Sequence, residues 1–354
     1  MHAYTHAHTY YLLTFARVTT NIASMLRTAA RMATSVLTKP TDYVGASGLT
    51  YHFKELIQQR PHLGGVWIAE TRTGQFLLKD VPKSYFQNFN EDIRPRLSEH
   101  PNLRLPVDVV PKQHIFIYNY LSHDFLSLVR SSLPAQARKR ILYETLIGLK
   151  ELHERDIVHL DIKPDNVVVD CHAGGQETII GKIQIADFEN SVWLQPGKNV
   201  EGMLAGNENW RSPEAHVRAK LNKPTDMFSF GIMCIYAILG RVIFGRDKDF
   251  DYQESQGNIA PVIRLQRQIS YFGDEKGVQG LLEHVGHSDV CEVLRAMWED
   301  RNQAAIPYKH FSTWPEITDE CFRDLILKLT NLDPGSRLTA REALGHPWFT
   351  TTDA

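Results

Sequence analysis

Asp161, Lys163, Asn166 and Asp187 are the residues of this chain whose types and spacing suit one particular chemistry. They stand in Val158-His159-Leu160-Asp161-Ile162-Lys163-Pro164-Asp165-Asn166 and in Ile185-Ala186-Asp187-Phe188-Glu189, with the β-prone run Val167-Val168-Val169 between. Moving a phosphoryl group from ATP to a hydroxyl needs a group that orients the hydroxyl, a cation near the transferring phosphate, and hard oxygen ligands for Mg²⁺. Asp161 suits the first task, Lys163 the second, and Asn166 with Asp187 the third.

The stretch resembles the catalytic loop and metal-binding loop of eukaryotic protein kinases, H-R-D-x-K-x-x-N and D-F-G, with Leu160 in place of Arg and Glu189 in place of Gly. Further landmarks follow in order. Gly206-Asn207-Glu208-Asn209-Trp210-Arg211-Ser212-Pro213-Glu214 resembles the segment ending in A-P-E. Asp226-Met227-Phe228-Ser229-Phe230-Gly231 resembles D-x-W-S-x-G. Leu332-Asp333-Pro334-Gly335-Ser336-Arg337 and His346-Pro347-Trp348-Phe349 resemble the close of the domain.

The resemblance implies an α+β, bilobal fold with a small β-rich N-lobe and a larger, mainly helical C-lobe. It also implies ATP and Mg²⁺ as cofactors and a protein hydroxyl as acceptor. His159 and Phe188 would support the loops, Asp226 would brace the catalytic loop from a central helix, and Glu214 would meet Arg337 as a buried pair. Lys163 resembles the Ser/Thr enzymes, while Trp210 resembles the tyrosine kinases and Asn207 replaces the Thr that usually bridges base and lysine.

These residues need a scaffold to hold them. Gly64–Glu70, Thr71–Gly74 and Gln75–Val81 read as strand, turn and strand, and in the family the lysine of the second strand, here Lys79, clamps the ATP α- and β-phosphates. The glycine loop before it is represented by Gln59–Gly64, in which only Gly64 keeps a glycine. Counting back from His100-Pro101-Asn102 places the lysine's helix partner at Glu91, with Asp92 as the alternative. Pro95, four residues beyond Glu91, requires that helix to be short or kinked. Ile115–Leu121 reads as the last strand and hinge: Tyr118 behind the adenine, Asn119, Tyr120 and Leu121 at its edge, and Asp124 toward the ribose. Pro134 starts a helix through Ile141, Leu142, Leu146, Leu149 and Leu152, which delivers the chain to His159.

The proposed organisation is an extension over 1–48, an N-lobe over 49–121 and a C-lobe over 122–350. With 43% hydrophobic residues, 354 residues suffice for two lobes with a sizeable core. A net charge of −2 gives no electrostatic case for a nucleic-acid partner. No apolar run reaches the ~18–20 residues that span a bilayer. Four widely spaced cysteines without a C-x-x-C pair fit reduced thiols in an intracellular protein. Residues 1–41 contain no Asp or Glu, carry Arg17, Arg27, Arg31 and Lys39, and fit either a mitochondrial targeting segment or a disordered extension. Two functional classes remain open at this level: an active protein kinase, and a pseudokinase that binds ATP or acts as a scaffold without turnover.

Overall fold

A computed structural model describes residues 42–60, 64–131, 133–174, 177–286, 289–302 and 308–351. The targeting expectation for residues 1–41 lies outside the described residues. The described residues open with a six-stranded antiparallel sheet: β1 (Tyr43–Val44), β2 (Thr50–Arg60), β3 (Gly64–Thr71), β4 (Gly74–Asp80), β5 (Asp108–Val110) and β6 (Ile115–Asn119), ordered β1-β2-β3-β4-β6-β5. Period-2 alternation explains its inner face. Trp67 and Ala69 of β3 point the same way as Leu78 of β4 and Ile115 and Ile117 of β6, and bury with Tyr51 in one apolar cluster.

Between β4 and β5 the expected helix is brief. Helix α1 (Lys83–Asn88) buries none of its residues, and then widens into a π turn over Phe89–Ile93 and tightens into a 3-10 turn over Arg94–Arg96. Pro95 is the physical reason: it has no N–H to give to the Glu91 carbonyl.

Beyond β6 the chain is mainly helical. After β7 (His123–Asp124) come α2 (Phe125–Arg130) and α3 (Ala135–Glu154), then β8 (Ile157–Val158), β9 (Val167–Gly174), β10 (Glu177–Ile185) and β11 (Val192–Trp193). Helix α3 follows Pro134 and buries Ile141, Leu142, Leu146, Leu149 and Leu152 along one stripe. After α4 (Pro213–His216), α5 (Lys223–Leu239) runs through the lobe with every residue from Thr225 to Ala237 buried. A helix apolar on all sides belongs at the centre of a core. The polar stretch after Phe250, without a chemical signature of its own, folds as α6 (Lys248–Ser255), α7 (Ala260–Phe272), α8 (Glu275–Val285) and α9 (Asp289–Glu299); α10 (Glu320–Leu329), α11 (Ala340–Leu344) and α12 (Pro347–Thr350) close the domain.

Candidate active site

Asp226, in the first turn of α5, is fully buried and organises the loop after β8. Its Oδ2 accepts the His159 N–H at 2.8 Å and its Oδ1 the Leu160 N–H at 2.9 Å. The His153 Nε2 lies 3.0 Å from the same Oδ2. These bonds hold Leu160 at φ 66°, a left-handed conformation that a branched side chain adopts only when its surroundings impose it. Gly206 packs against this turn at φ 72°, where a Cβ would stand 2.8 Å from the Leu160 carbonyl oxygen, so a side chain there is excluded.

The strained turn presents Asp161, whose side chain is 13% exposed. Its Oδ1 accepts the Asn207 N–H at 2.9 Å, and its Oδ2 lies 2.8 Å from the Lys163 ammonium. Asn166 donates from Nδ2 to the Asp161 carbonyl at 2.8 Å and to Oδ2 at 3.2 Å, and its own Oδ1 accepts no hydrogen bond among the described residues. The Asn166 carbonyl in turn accepts the Ala186 N–H at 2.8 Å, and the His159 Nε2–H is donated to the Ala186 carbonyl at 2.9 Å. Phe188 meets the His159 ring edge-on at 5.4 Å. The two motif segments are thus tied into one unit.

Lys79, near the end of β4, reaches that unit from the sheet. Its ammonium lies 2.5 Å from Asp187 Oδ1 and 3.0 Å from Glu189 Oε2. Two carboxylates therefore face one cation. Burial alone would raise the Asp187 carboxyl, but Lys79 holds it well below the usual carboxylate range. Glu189 bears the cost: burial, and then the Asp187 charge beside it, push its carboxyl up to about 8 against the pull of Lys79. The Lys79 ammonium is raised in turn, because Glu189 and Asp187 outweigh its desolvation. Such a pair of carboxyls titrates as a unit. The Asp187 carboxylate and the Asn166 amide oxygen are hard oxygen donors of the kind that a divalent cation such as Mg²⁺ prefers.

The structure does not bring Glu91 to Lys79. Glu91 and Asp92 are both exposed, and Asp92 faces Arg96 at 3.9 Å. The helix is short, as Pro95 requires, and the π turn that follows it leaves both acidic residues on the exposed side. Gly64 stands at φ 89° at the start of β3, where a Cβ would meet the Asp80 carbonyl at 2.6 Å. It lines a cavity of about 50 Å³ with Val66, Lys79, Tyr85, Asp187 and Glu189.

At the hinge, two of the expected backbone groups are already engaged: Arg104 Nη2 donates to the Asn119 carbonyl at 2.8 Å, and the Tyr120 N–H to the Gln75 carbonyl at 3.2 Å. The Leu121 N–H has no backbone partner among the described residues. Asp124 caps α2, its Oδ1 accepting the Ser127 N–H at 2.8 Å, so one of its oxygens remains for another ligand.

The chain matches the model of one known family, the protein kinase domain, over residues 93–349. The chain belongs to the protein kinase family. Similar proteins include a probable cyclin-dependent serine/threonine-protein kinase of Dictyostelium discoideum, 26% identical over 246 residues, which are 66% of this chain and 15% of that protein. The serine/threonine-protein kinase/endoribonuclease ire-1 of Caenorhabditis elegans is 27% identical over 223 residues, 61% of this chain and 18% of that protein. The serine/threonine-protein kinase ssn3 of Neosartorya fischeri is 28% identical over 285 residues, 72% of this chain and 63% of that protein. The chain therefore spans less than a fifth of the first two relatives' length.

The kinase carries its Glu214–Arg337 pair fully buried and bidentate, at 2.6 and 2.9 Å, with Thr225 Oγ1 donating to Glu214 Oε1 at 2.9 Å. Burial would raise Glu214, but Arg337 holds it below its ordinary value. Asn207 touches Asp161 through its backbone, while its side-chain Oδ1 accepts the Asn209 N–H at 3.0 Å. Trp210 is buried edge-on against Tyr236 at 5.6 Å, a core contact. Arg104, unnoticed in the sequence, is a buried guanidinium 5.2 Å above the Tyr118 ring. A cation between two leucines, Leu103 and Leu105, was the only signal of it. His153 was hidden in the same way, at the end of an apolar helical stripe.

Proposed function

We propose that this kinase transfers the γ-phosphate of ATP to a serine or threonine hydroxyl of a protein. The observation that carries the reading is the environment of Asp161, fixed by Asn207, Asn166 and Lys163 and tied through Asn166 to the segment bearing Asp187. Such pre-set geometry is what phosphoryl transfer demands, since positioning and electrostatics supply most of the catalysis.

The acceptor hydroxyl hydrogen-bonds to the Asp161 carboxylate. As its oxygen bonds to the γ-phosphorus, the bond from that phosphorus to the β–γ bridging oxygen breaks; ADP departs with the electron pair, and Asp161 takes the hydroxyl proton. Lys163 offsets charge on the transferring group, and Lys79 faces the α- and β-phosphates. Asn166 Oδ1 and the Asp187 carboxylate would hold Mg²⁺, which neutralises phosphate oxygens when bound. Leu121 offers its free N–H to the adenine edge, and Asp124 its remaining oxygen to the ribose.

The lobes assigned are 49–121 and 122–350, with 1–48 ahead of them, except that β1 (Tyr43–Val44) pairs with β2 and so belongs with the N-lobe sheet. Among the described residues no helix is long and apolar enough to cross a membrane, and Cys171, Cys234 and Cys321 are free thiols. Those thiols support an intracellular setting.

Asp161→Asn should lower turnover by roughly 10²–10⁴-fold with the fold intact. Purified full chain with ATP, Mg²⁺ and a generic basic protein as acceptor provides the assay. A nucleotide-binding scaffold is the alternative, favoured by the single glycine left in the loop before β3. Nucleotide binding with no phosphate transfer by the unmutated chain, in either Mg²⁺ or Mn²⁺, would decide for it.

A further inference from the structure

We propose that Glu189, standing where the family's metal loop has glycine, positions Lys79 in place of a glutamate from α1. The proposal rests on the reading that Lys79 meets a nucleotide. Its consequence is mechanical: Lys79 is aligned by the loop that carries Asp187, and α1 has no lever on it.

Three observations converge on this exchange. First, the contacts of Lys79 go to Asp187 and Glu189, two residues apart in one 3-10 turn region, whereas Glu91 and Asp92 face solvent. Second, Glu189 is held from behind. Its side chain is 4% exposed, and the Tyr118 hydroxyl donates to its Oε1 at 3.4 Å. Arg104 lies 5.2 Å over that tyrosine ring and anchors to the Asn119 carbonyl, which fixes the ring whose hydroxyl meets Glu189. Third, α1 is unsuited to the task. It buries no side chain of its own, and in the π turn that follows, Phe89 and Ile93 face the core while Glu91 and Asp92 stay exposed, so no carboxylate of this segment is held toward β4.

The loop, by contrast, is fastened at several points. The Ser191 N–H closes the turn on the Phe188 carbonyl at 3.0 Å, and Asn88 Nδ2 donates to the Ser191 carbonyl at 3.0 Å. Asn88 thus ties the end of α1 to this loop. A carboxylate two residues from a metal ligand thus serves as a positioning residue with no acceptor or phosphate of its own to touch.

The test compares Glu189→Ala with Glu91→Ala in the full chain by two measurements. One needs no nucleotide: the rate at which acetic anhydride acylates Lys79, read by peptide mass spectrometry against the other lysines. The other is the split between KM for ATP and kcat. Losing a buried partner of a charged group predicts that Glu189→Ala raises Lys79 acylation and KM for ATP each by roughly tenfold or more. Its kcat should fall less than KM rises, and Glu91→Ala should change each quantity by less than about twofold, the scale of a surface substitution. Unchanged acylation in Glu189→Ala, or an equal rise in Glu91→Ala, overturns the proposal. The expected acylation pattern in a chain that neither binds nor turns over ATP supports the pairing and overturns the nucleotide reading instead. If Glu189→Ala does not fold, Glu189→Gly, the family's own residue, carries the same comparison.

Discussion

His216 shows at the scale of one residue how this kinase spends burial on charge. The imidazole, on α4 directly after Glu214, is almost wholly buried, and its Nε2 has no partner among the described residues. Burial first, then the Arg211 and Arg264 guanidinia, hold its pKa well below the ordinary value. No carboxylate offsets them at that ring. The folded protein therefore keeps His216 neutral, while the unfolded chain takes up a proton near pH 6.5. Because the unfolded state binds more protons below that pH, stability falls as the pH drops through it. His216→Gln should flatten this acid limb by about 1.5 kcal/mol between pH 6.5 and 5. Urea titrations at the two pH values measure it, and an acid limb of unchanged slope would contradict the assignment.

Residue by residue, legibility followed locality. Asp161, Lys163 and Asn166 were readable because their chemistry lies in one contiguous loop, and Asp187 because its neighbour Phe188 marks it. The partner of Lys79 was not readable. It depends on which of two acidic segments reaches β4, and that was decided by a proline and a widened turn that change where Glu91 points. Glu189 was visible as a departure from the motif, but only the sheet and the loop together give it Lys79 as a neighbour.

At the scale of elements, the segment from Asp187 to Glu214 has to be ordered without the usual device. Leu160 stands where many kinases have the arginine that pairs with a loop phosphate. Its side chain is buried with Val158, Ala205, Ala215 and Leu221, and Val192, Leu194 and Val200 pack against them. A bridge between Val200 and Leu221 adds two backbone hydrogen bonds, at 3.0 and 2.7 Å. Apolar contact thus holds the segment where a charge pair otherwise would. The only hydroxyls between Asp187 and Glu214 are Ser191 and Ser212. Both are fully buried: Ser212 Oγ lies 3.2 Å from Thr225 Oγ1, and Ser191 Oγ is aimed at the His159 carbonyl. Neither is open to a modifying enzyme in the folded protein. Phosphatase treatment of active protein should therefore leave its rate unchanged, and a large loss of activity mapped by mass spectrometry to either serine would refute this account of the segment. The absence of Arg at position 160 was legible in the sequence, but the cluster that replaces it joins β8, the segment and the approach to α5, which no single stretch reveals.

Over the whole molecule, the site depends on the N-terminal end of α5 being fixed. Asp226 sits in the first turn of that helix and sets the catalytic loop. Glu214 and Arg337 lock the same end from outside, and Arg337 adds bonds to the carbonyls of Pro224 at 3.0 Å and Asn331 at 2.7 Å. Arg337 therefore joins the platform before α5 to the turn ahead of α11. A buried ion pair of this kind gives little net stability over an apolar substitute, because desolvation offsets the attraction, but removing one partner strands the other charge at a cost of about 3–5 kcal/mol. The two substitutions separate those statements. Arg337→Met should lose about 3–5 kcal/mol in urea unfolding, leaving the Glu214 carboxylate buried without its guanidinium and its pKa free to rise. Arg337→Met combined with Glu214→Leu should recover most of that loss, since no stranded charge remains. A double variant as unstable as the single one would mean that Arg337 acts through the Pro224 and Asn331 carbonyls rather than through Glu214, and that α5 is fixed by backbone hydrogen bonds instead of by the ion pair.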